Sequence, residues 1–147
     1  MSKWPVAAGD VDFEPYLEGM PAASVALFWR FIDLARSAGP VSFELHNGPV
    51  VLRGTRRIFA SVRVRTDGLA GHLNLDRELA DRRIRRAQPM TRRLYYHRYR
   101  VAAPSDLDEE FAGWLREARQ IGDGEHLSAP VSLPPRRPSR QRTAITR

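Results

Sequence analysis

The chain has 147 residues, of which 42% are hydrophobic, and a formal net charge of +7. That length and composition predict one folded domain with extensions. The chain contains no cysteine, which excludes disulfides, thiol nucleophiles and cysteine-based metal centres. It also lacks a signal-like N-terminus and any apolar run near the roughly 20 residues that span a bilayer. These absences predict a cytoplasmic protein without membrane association.

Arginine carries nearly all of the positive charge, since only Lys3 among the 24 basic residues is a lysine. A basic surface built in this way favours an acidic partner. A coding sequence rich in G and C would give the same composition without any partner. The sequence alone does not separate these two explanations.

The first confident element is a helix over residues 21–38. Residues 1–19 before it are acidic, proline-punctuated and without a clear period, and we interpret them as an N-terminal extension. Val25, Phe28 and Ile32 recur at helical spacing. A Gly-Pro pair follows and predicts the end of the helix.

Five strands are expected next, over residues 41–46, 50–53, 57–66, 70–75 and 93–102. Asn47-Gly48 and Asp67-Gly68 are typical hairpin turns, because both positions of each pair tolerate positive φ. In the third strand the arginines alternate with apolar residues, so one face is polar. The polar residues 76–86 predict a short helix or a loop.

A second amphipathic helix is expected over residues 106–121. Ser105 is the expected N-cap, with Asp108 completing a capping box, and Trp114 lies on the apolar stripe. Residues 128–147 are rich in proline and arginine and predict a disordered tail. The sequence therefore predicts an α+β domain over residues 20–127: an antiparallel sheet of about five strands with both helices packed on one face.

Three segments resemble a small bacterial family of unknown function, family 5655, over about Met20 to Leu127. They are FWRFIDLARSAGP, the strand RRIFASVRV with GHLNL after it, and YYHRYRVAAPSDLDEEFAGWLREARQIGDGEHL. The resemblance implies an α+β fold and no particular activity. His97 and Phe59 match the family pattern, whereas Asn47 stands where relatives typically carry a lysine.

His97 is the strongest candidate for chemistry. It alternates with Tyr95 and Tyr99, so a pocket of three polar-tipped rings could place an acid or base near neutral pH. The alternative is a packing row whose hydrogen bonds are satisfied, and this is the interpretation we favour. The four histidines are far apart in sequence, and we expect no metal site and no cofactor.

The arginines suggest a binding surface instead. Arg92, Tyr96, Arg98 and Arg100 share a strand face, and the central strand can add Arg63 and Arg65. A sheet face of arginines and aromatics is one way in which small folds hold single-stranded nucleic acid. A solvated arginine face explains the same pattern.

The function that the sequence favours is a non-enzymatic module for an anionic ligand or partner. The six residues of this face would provide the contacts, and a nucleic acid or another polyanion would be the target. An enzyme or small-molecule pocket around His97 is the first alternative. A module that binds other proteins through an apolar patch is the second.

Overall fold

The structure is a computed structural model that describes residues 12–46 and 48–124. Over these residues it is an α+β fold with three α-helices and a six-stranded sheet. The helices are α1 (Glu14–Leu17), α2 (Ala22–Ser37) and α3 (Glu109–Gly122). The strands are β1 (Ser42–Leu45), β2 (Val50–Arg53), β3 (Ile58–Arg65), β4 (Gly68–Leu75), β5 (Ile84–Pro89) and β6 (Tyr95–Val101).

All neighbouring strands of the sheet are antiparallel, in the order β1-β2-β3-β4-β6-β5. The expected number of about five strands is corrected to six, because β5 forms within the region predicted as a short helix or loop and just after it. Its sequence, IRRAQP, has no apolar alternation. As an edge strand that pairs with β6 alone, β5 needs little apolar surface, and of its residues only Ile84 packs against the core.

Both long helices cover the same face of the sheet. Phe31 of α2 and Phe111 of α3 both contact Tyr99 of β6, with ring centroids 6.2 and 5.3 Å apart. Phe28 and Trp114, from the two predicted apolar stripes, are buried. The opposite face of the sheet carries no helix in the described part of the chain.

The core reaches further toward the N-terminus than the predicted boundary at Met20. Phe13 and Leu17 are both buried, and the ring of Phe13 packs edge-on against Phe28, with centroids 5.1 Å apart. α1 therefore belongs to the domain. Residues 1–11, Asn47 and the tail predicted over residues 128–147 lie outside the described residues.

Helix α3 begins later than the sequence suggested. Pro104–Asp106 form a single 3₁₀ turn, and the N-cap of α3 is Asp108, whose carboxylate accepts a hydrogen bond from the backbone N–H of Phe111. Ser105 is thus not the cap. The carboxylate of Asp106 instead accepts the N–H groups of Ala102 and Ala103, so it closes the turn that leads into the helix.

A register shift between β2 and β3 places Phe59 on the helix-covered face, although strict alternation along β3 would put it on the face of Arg63 and Arg65. Leu52 pairs with Ala60 but Arg53 pairs with Ile58, so Phe59 is an extra residue. Such a bulge turns its side chain away from the regular alternation. Phe59 is buried in the core and lies under Gly122, where an added Cβ would meet its ring at 2.5 Å.

Candidate anion-binding site

The uncovered face of the sheet collects basic side chains in a row across three strands. Arg63 of β3, Ala70 of β4 and Arg100 of β6 are direct neighbours in the register. Alternation along each strand places these side chains on the face opposite Tyr99. Because the side chain of Ala70 is short, it leaves a depression in the row, with an arginine on each side of it.

A second row lies next to the first. It runs from Ser61 through His72 and Arg98 to Arg86 of β5. A third row pairs Tyr96 of β6 with Gln88 of β5. The strand register thus places polar side chains from β3, β4, β5 and β6 on one surface.

These rows border a concave cavity of about 520 Å³. Its arginines, which together define what we term the arginine groove, are Arg63, Arg65, Arg85, Arg86, Arg98 and Arg100. Tyr96 and Gln88 line it as well, and no Asp or Glu is among its lining residues in the described part of the chain. The groove is therefore a surface of one sign of charge.

Several arginines outside the groove are paired with carboxylates. Arg53 contacts Glu44 at 2.7 Å, Arg77 contacts Glu117 at 2.8 Å and Arg119 contacts Asp123 at 2.5 Å. In the groove, Arg63, Arg65, Arg85 and Arg98 have no carboxylate within salt-bridge distance among the described residues. Among the described residues, the charge of these four arginines is therefore not balanced by a neighbouring carboxylate.

Two groove arginines have partners that leave most of their donors free. Arg100 donates to the exposed carboxylate of Asp67 at 2.7 Å, and this hydrogen bond lowers the pKa of Asp67. Its Nε is buried and has no acceptor among the described residues. Arg86 donates from Nε to the side-chain oxygen of Gln88 at 2.6 Å. Since a guanidinium carries five N–H donors, both can still bind an anion.

An aromatic stack lies beside the arginines. The ring of Tyr96 is parallel to the ring of His72, with centroids 4.8 Å apart and planes 8° apart. Ser61 Oγ lies 2.7 Å from His72 Nδ1, which fixes the imidazole on its other side. Burial lowers the pKa of His72 to about 4, so the imidazole is neutral at pH 7 and supports Tyr96 as an uncharged ring.

The pocket proposed around His97 is not formed. His97 is fully buried on the helix-covered face. Its Nε2 accepts the backbone N–H of Leu79 at 2.9 Å, and Nδ1 lies 3.4 Å from the carbonyl oxygen of Leu73. Burial lowers its pKa. A neutral imidazole that joins two backbone segments is a structural residue, because no substrate can reach it.

The tyrosines beside His97 are also parts of the packing. Tyr99 is buried, and its hydroxyl donates to the carbonyl oxygen of Ser61 at 2.7 Å. An added Cβ on Gly71, its neighbour in β4, would lie 2.6 Å from the Tyr99 hydroxyl. Tyr95 is half-buried, with its ring 6.4 Å from that of His97. The three rings form a packing row.

Two arginines of the basic stretch do not belong to the groove. Arg92 was expected on the face of Tyr96, but it is exposed in the turn before β6 and does not line the groove. Arg83 lies just before β5, and its side chain is only 4% exposed. It hydrogen-bonds Asp81, Asp108 and Glu110, so its charge is neutralised inside the fold.

Sequence reasoning did not place Arg85, Arg86 and Gln88 opposite the closing strand. The reason is that β5 itself was not expected. The only available signal was the length of residues 76–92, which leaves room for a strand before the closing one. Among the predicted ligand-binding residues, five line the groove: Arg63, Arg65, Tyr96, Arg98 and Arg100.

Within residues 12–46 and 48–124, no group of three or more His, Asp or Glu side chains is placed to hold a metal ion. None of the helices in the same residues is both long and apolar enough to cross a bilayer. Comparisons with protein-family models, curated proteins and solved structures found no match. The resemblance to family 5655 therefore stays a prediction.

Proposed function

We propose that this protein is a binding module for polyanions and that the arginine groove is its binding site. The supporting observation is the concentration of six arginines around one cavity without a lining carboxylate. Like charges placed together repel, so an uncompensated cluster destabilises the folded state. A ligand that carries several negative charges removes that repulsion when it binds.

The chemistry of the groove favours phosphate over carboxylate ligands of single charge. Guanidinium groups present paired donors that match phosphate oxygens, and they are weakly hydrated, so they release water readily. A ligand with one carboxylate would leave most of the groove uncompensated. A chain of phosphates can contact several arginines at once.

The fold supports binding more than catalysis at this site. Ser61 and His72 are within hydrogen-bonding distance, but His72 has a pKa of about 4 and is held between Ser61 and Tyr96. A general base works best with a pKa near the working pH. This pair therefore serves to position the aromatic stack.

Inorganic polyphosphate, labelled with a fluorophore, tests the proposal by fluorescence anisotropy at several salt concentrations. Wild-type protein should bind it, with an affinity that falls steeply as salt rises. A groove variant that carries Arg63→Gln, Arg65→Gln and Arg98→Gln should bind at least about tenfold more weakly and with a flatter salt dependence.

A matched variant controls for net charge. Arg57→Gln, Arg92→Gln and Arg116→Gln remove the same three charges from residues outside the groove, and should leave binding within about twofold of wild type if the groove is the site. Equal losses in the two variants would show that only overall charge matters. No salt-sensitive binding by the wild type would overturn the proposal.

A further inference from the structure

We infer that the polyanion is a single-stranded nucleic acid, with its backbone along the groove arginines and a base on Tyr96. This inference rests on the proposed function and adds the class of ligand. It is carried by the order of side chains along β6 and its neighbours, where phosphate-binding and base-stacking groups follow each other at regular steps.

The groove arginines are spaced at regular intervals across and along the sheet. Arg63 and Arg100 lie on either side of Ala70, so their strands are about 10 Å apart, two interstrand spacings. Ala70 leaves space between them, so a phosphate can approach the sheet closely at this point. Arg98, two residues along β6, stands about 7 Å further on, opposite Arg86.

An aromatic side chain follows the arginines along β6. Tyr96 is two residues beyond Arg98, again about 7 Å along the strand. Successive phosphates and bases of an extended strand follow one another at comparable intervals. Arg100, Arg98 and Tyr96 therefore match a run of two or more nucleotides better than one small phosphate ester.

Contacts with neighbouring side chains fix the position of Tyr96. Its ring is held parallel to His72, and the imidazole is held by Ser61. A ring that is already fixed loses little conformational entropy when a base stacks on it. The amide of Gln88, opposite Tyr96 in the register and also in the groove, offers its N–H donors to the edge of that base, while its oxygen accepts from Arg86.

A single strand fits this surface better than a duplex does. In a duplex the bases are stacked on each other, so Tyr96 cannot take a base without unstacking it, whereas an unpaired base is free to stack on an aromatic side chain. Polyphosphate offers the charges without any base. A single strand, a duplex and polyphosphate therefore differ in whether they can stack a base on Tyr96, whereas all three offer phosphates to the arginines.

The experiment measures the affinity of three labelled probes: a 15-nucleotide oligothymidylate, a duplex of the same length, and inorganic polyphosphate. Wild-type protein should bind the single strand most tightly. Tyr96→Leu should weaken oligothymidylate binding about tenfold or more and leave polyphosphate binding within twofold. Tyr96→Phe should bind oligothymidylate like the wild type, because the ring is retained.

The outcomes separate this inference from the proposed function. If Tyr96→Leu weakens both probes equally, or neither, the stacking inference is wrong while polyanion binding stands. If the wild type prefers the duplex, the single-strand assignment is wrong. If it binds none of the probes, both proposals fail. Unchanged thermal midpoints of both Tyr96 variants exclude misfolding as the cause of any loss.

Discussion

The guanidinium of Arg83 lies over the indole of Trp114, 4.5 Å from the ring centroid. It joins the segment before β5 to α3, and three carboxylates around it complete the contact. A hydrogen bond from Arg83 lowers the pKa of Asp81 to about 2, so this carboxylate is ionised throughout the neutral range. Arg83 thus acts as a charged part of the core.

Replacement of Arg83 by leucine should destabilise the fold by about 1.5–3 kcal/mol, because it removes charge-assisted hydrogen bonds from a buried guanidinium to Asp81, Asp108 and Glu110. The free energy of unfolding in urea measures this. Arg77→Leu is the matched control: Arg77 pairs with Glu117, their side chains are 52% and 37% exposed, and exposed ion pairs contribute at most about 1 kcal/mol. Similar effects of the two changes would contradict the structural role of Arg83.

Acidification should weaken the fold through His72. The pKa of His72 is lowered to about 4 by burial, from 6.5. Between these values the unfolded chain binds a proton that the folded protein does not bind, so stability falls as pH decreases from about 6.5 to 4. For this group alone the loss is about 3 kcal/mol.

His97, whose pKa is lowered by burial as well, contributes with the same sign. His72→Phe keeps a ring against Tyr96 and removes one titrating group. Urea unfolding between pH 7 and pH 4 should show a smaller pH dependence for this variant. An unchanged dependence would mean that His72 is not the group responsible.

Two glycine replacements should have opposite effects. Gly71→Ala places a methyl group against the Tyr99 hydroxyl and the carbonyl oxygen of Ser61, and should cost about 1–3 kcal/mol or more. Gly113→Ala lies within α3, where the nearest neighbour of an added Cβ is the end of Arg116 at 3.5 Å. There alanine should stabilise the helix by about 0.5–1 kcal/mol. Thermal midpoints compare the two directly.

A fragment that begins at Met20 should be less stable than one that begins at Asp12. The longer fragment retains Phe13 and Leu17, and burial of two such side chains contributes about 3–6 kcal/mol. Phe13→Ala in the full chain should reproduce much of the loss, about 3–5 kcal/mol. Equal thermal midpoints for the two fragments would show that α1 adds nothing to the core.

The elements that the sequence predicted well are those whose apolar spacing is local. The stripe of Phe28 and Ile32 identifies α2, and the alternation of Ala60, Val62 and Val64 identifies β3. In contrast, β5 contains charged residues on an edge, so its only support is pairing with β6, which sequence periodicity does not report. The position of Phe59 depends on a bulge that is set by the partner strand.

The residues of the candidate site were likewise predicted where they depend on local alternation and missed where they depend on packing. Alternation placed Tyr96, Arg98 and Arg100 on one face correctly. The burial of His97 could not be read from its alternation with Tyr95 and Tyr99, because both faces of β6 carry polar-tipped side chains. Which face of the sheet the helices cover depends on tertiary packing. Because they cover the face of His97, its row of rings is packed in the core and does not form a pocket.

The same arginines also bear on how copies of this protein meet one another. As an edge strand, β5 presents unpaired backbone groups that another chain could extend into a larger sheet. Arg85 and Arg86 lie at an irregularity in that edge, and Pro89 ends it; charge, bulge and proline all oppose such pairing. The polyanion proposed above would cover Arg85 and Arg86 and so remove the charge from this edge, and the irregular register and Pro89 would then be left to oppose pairing between copies.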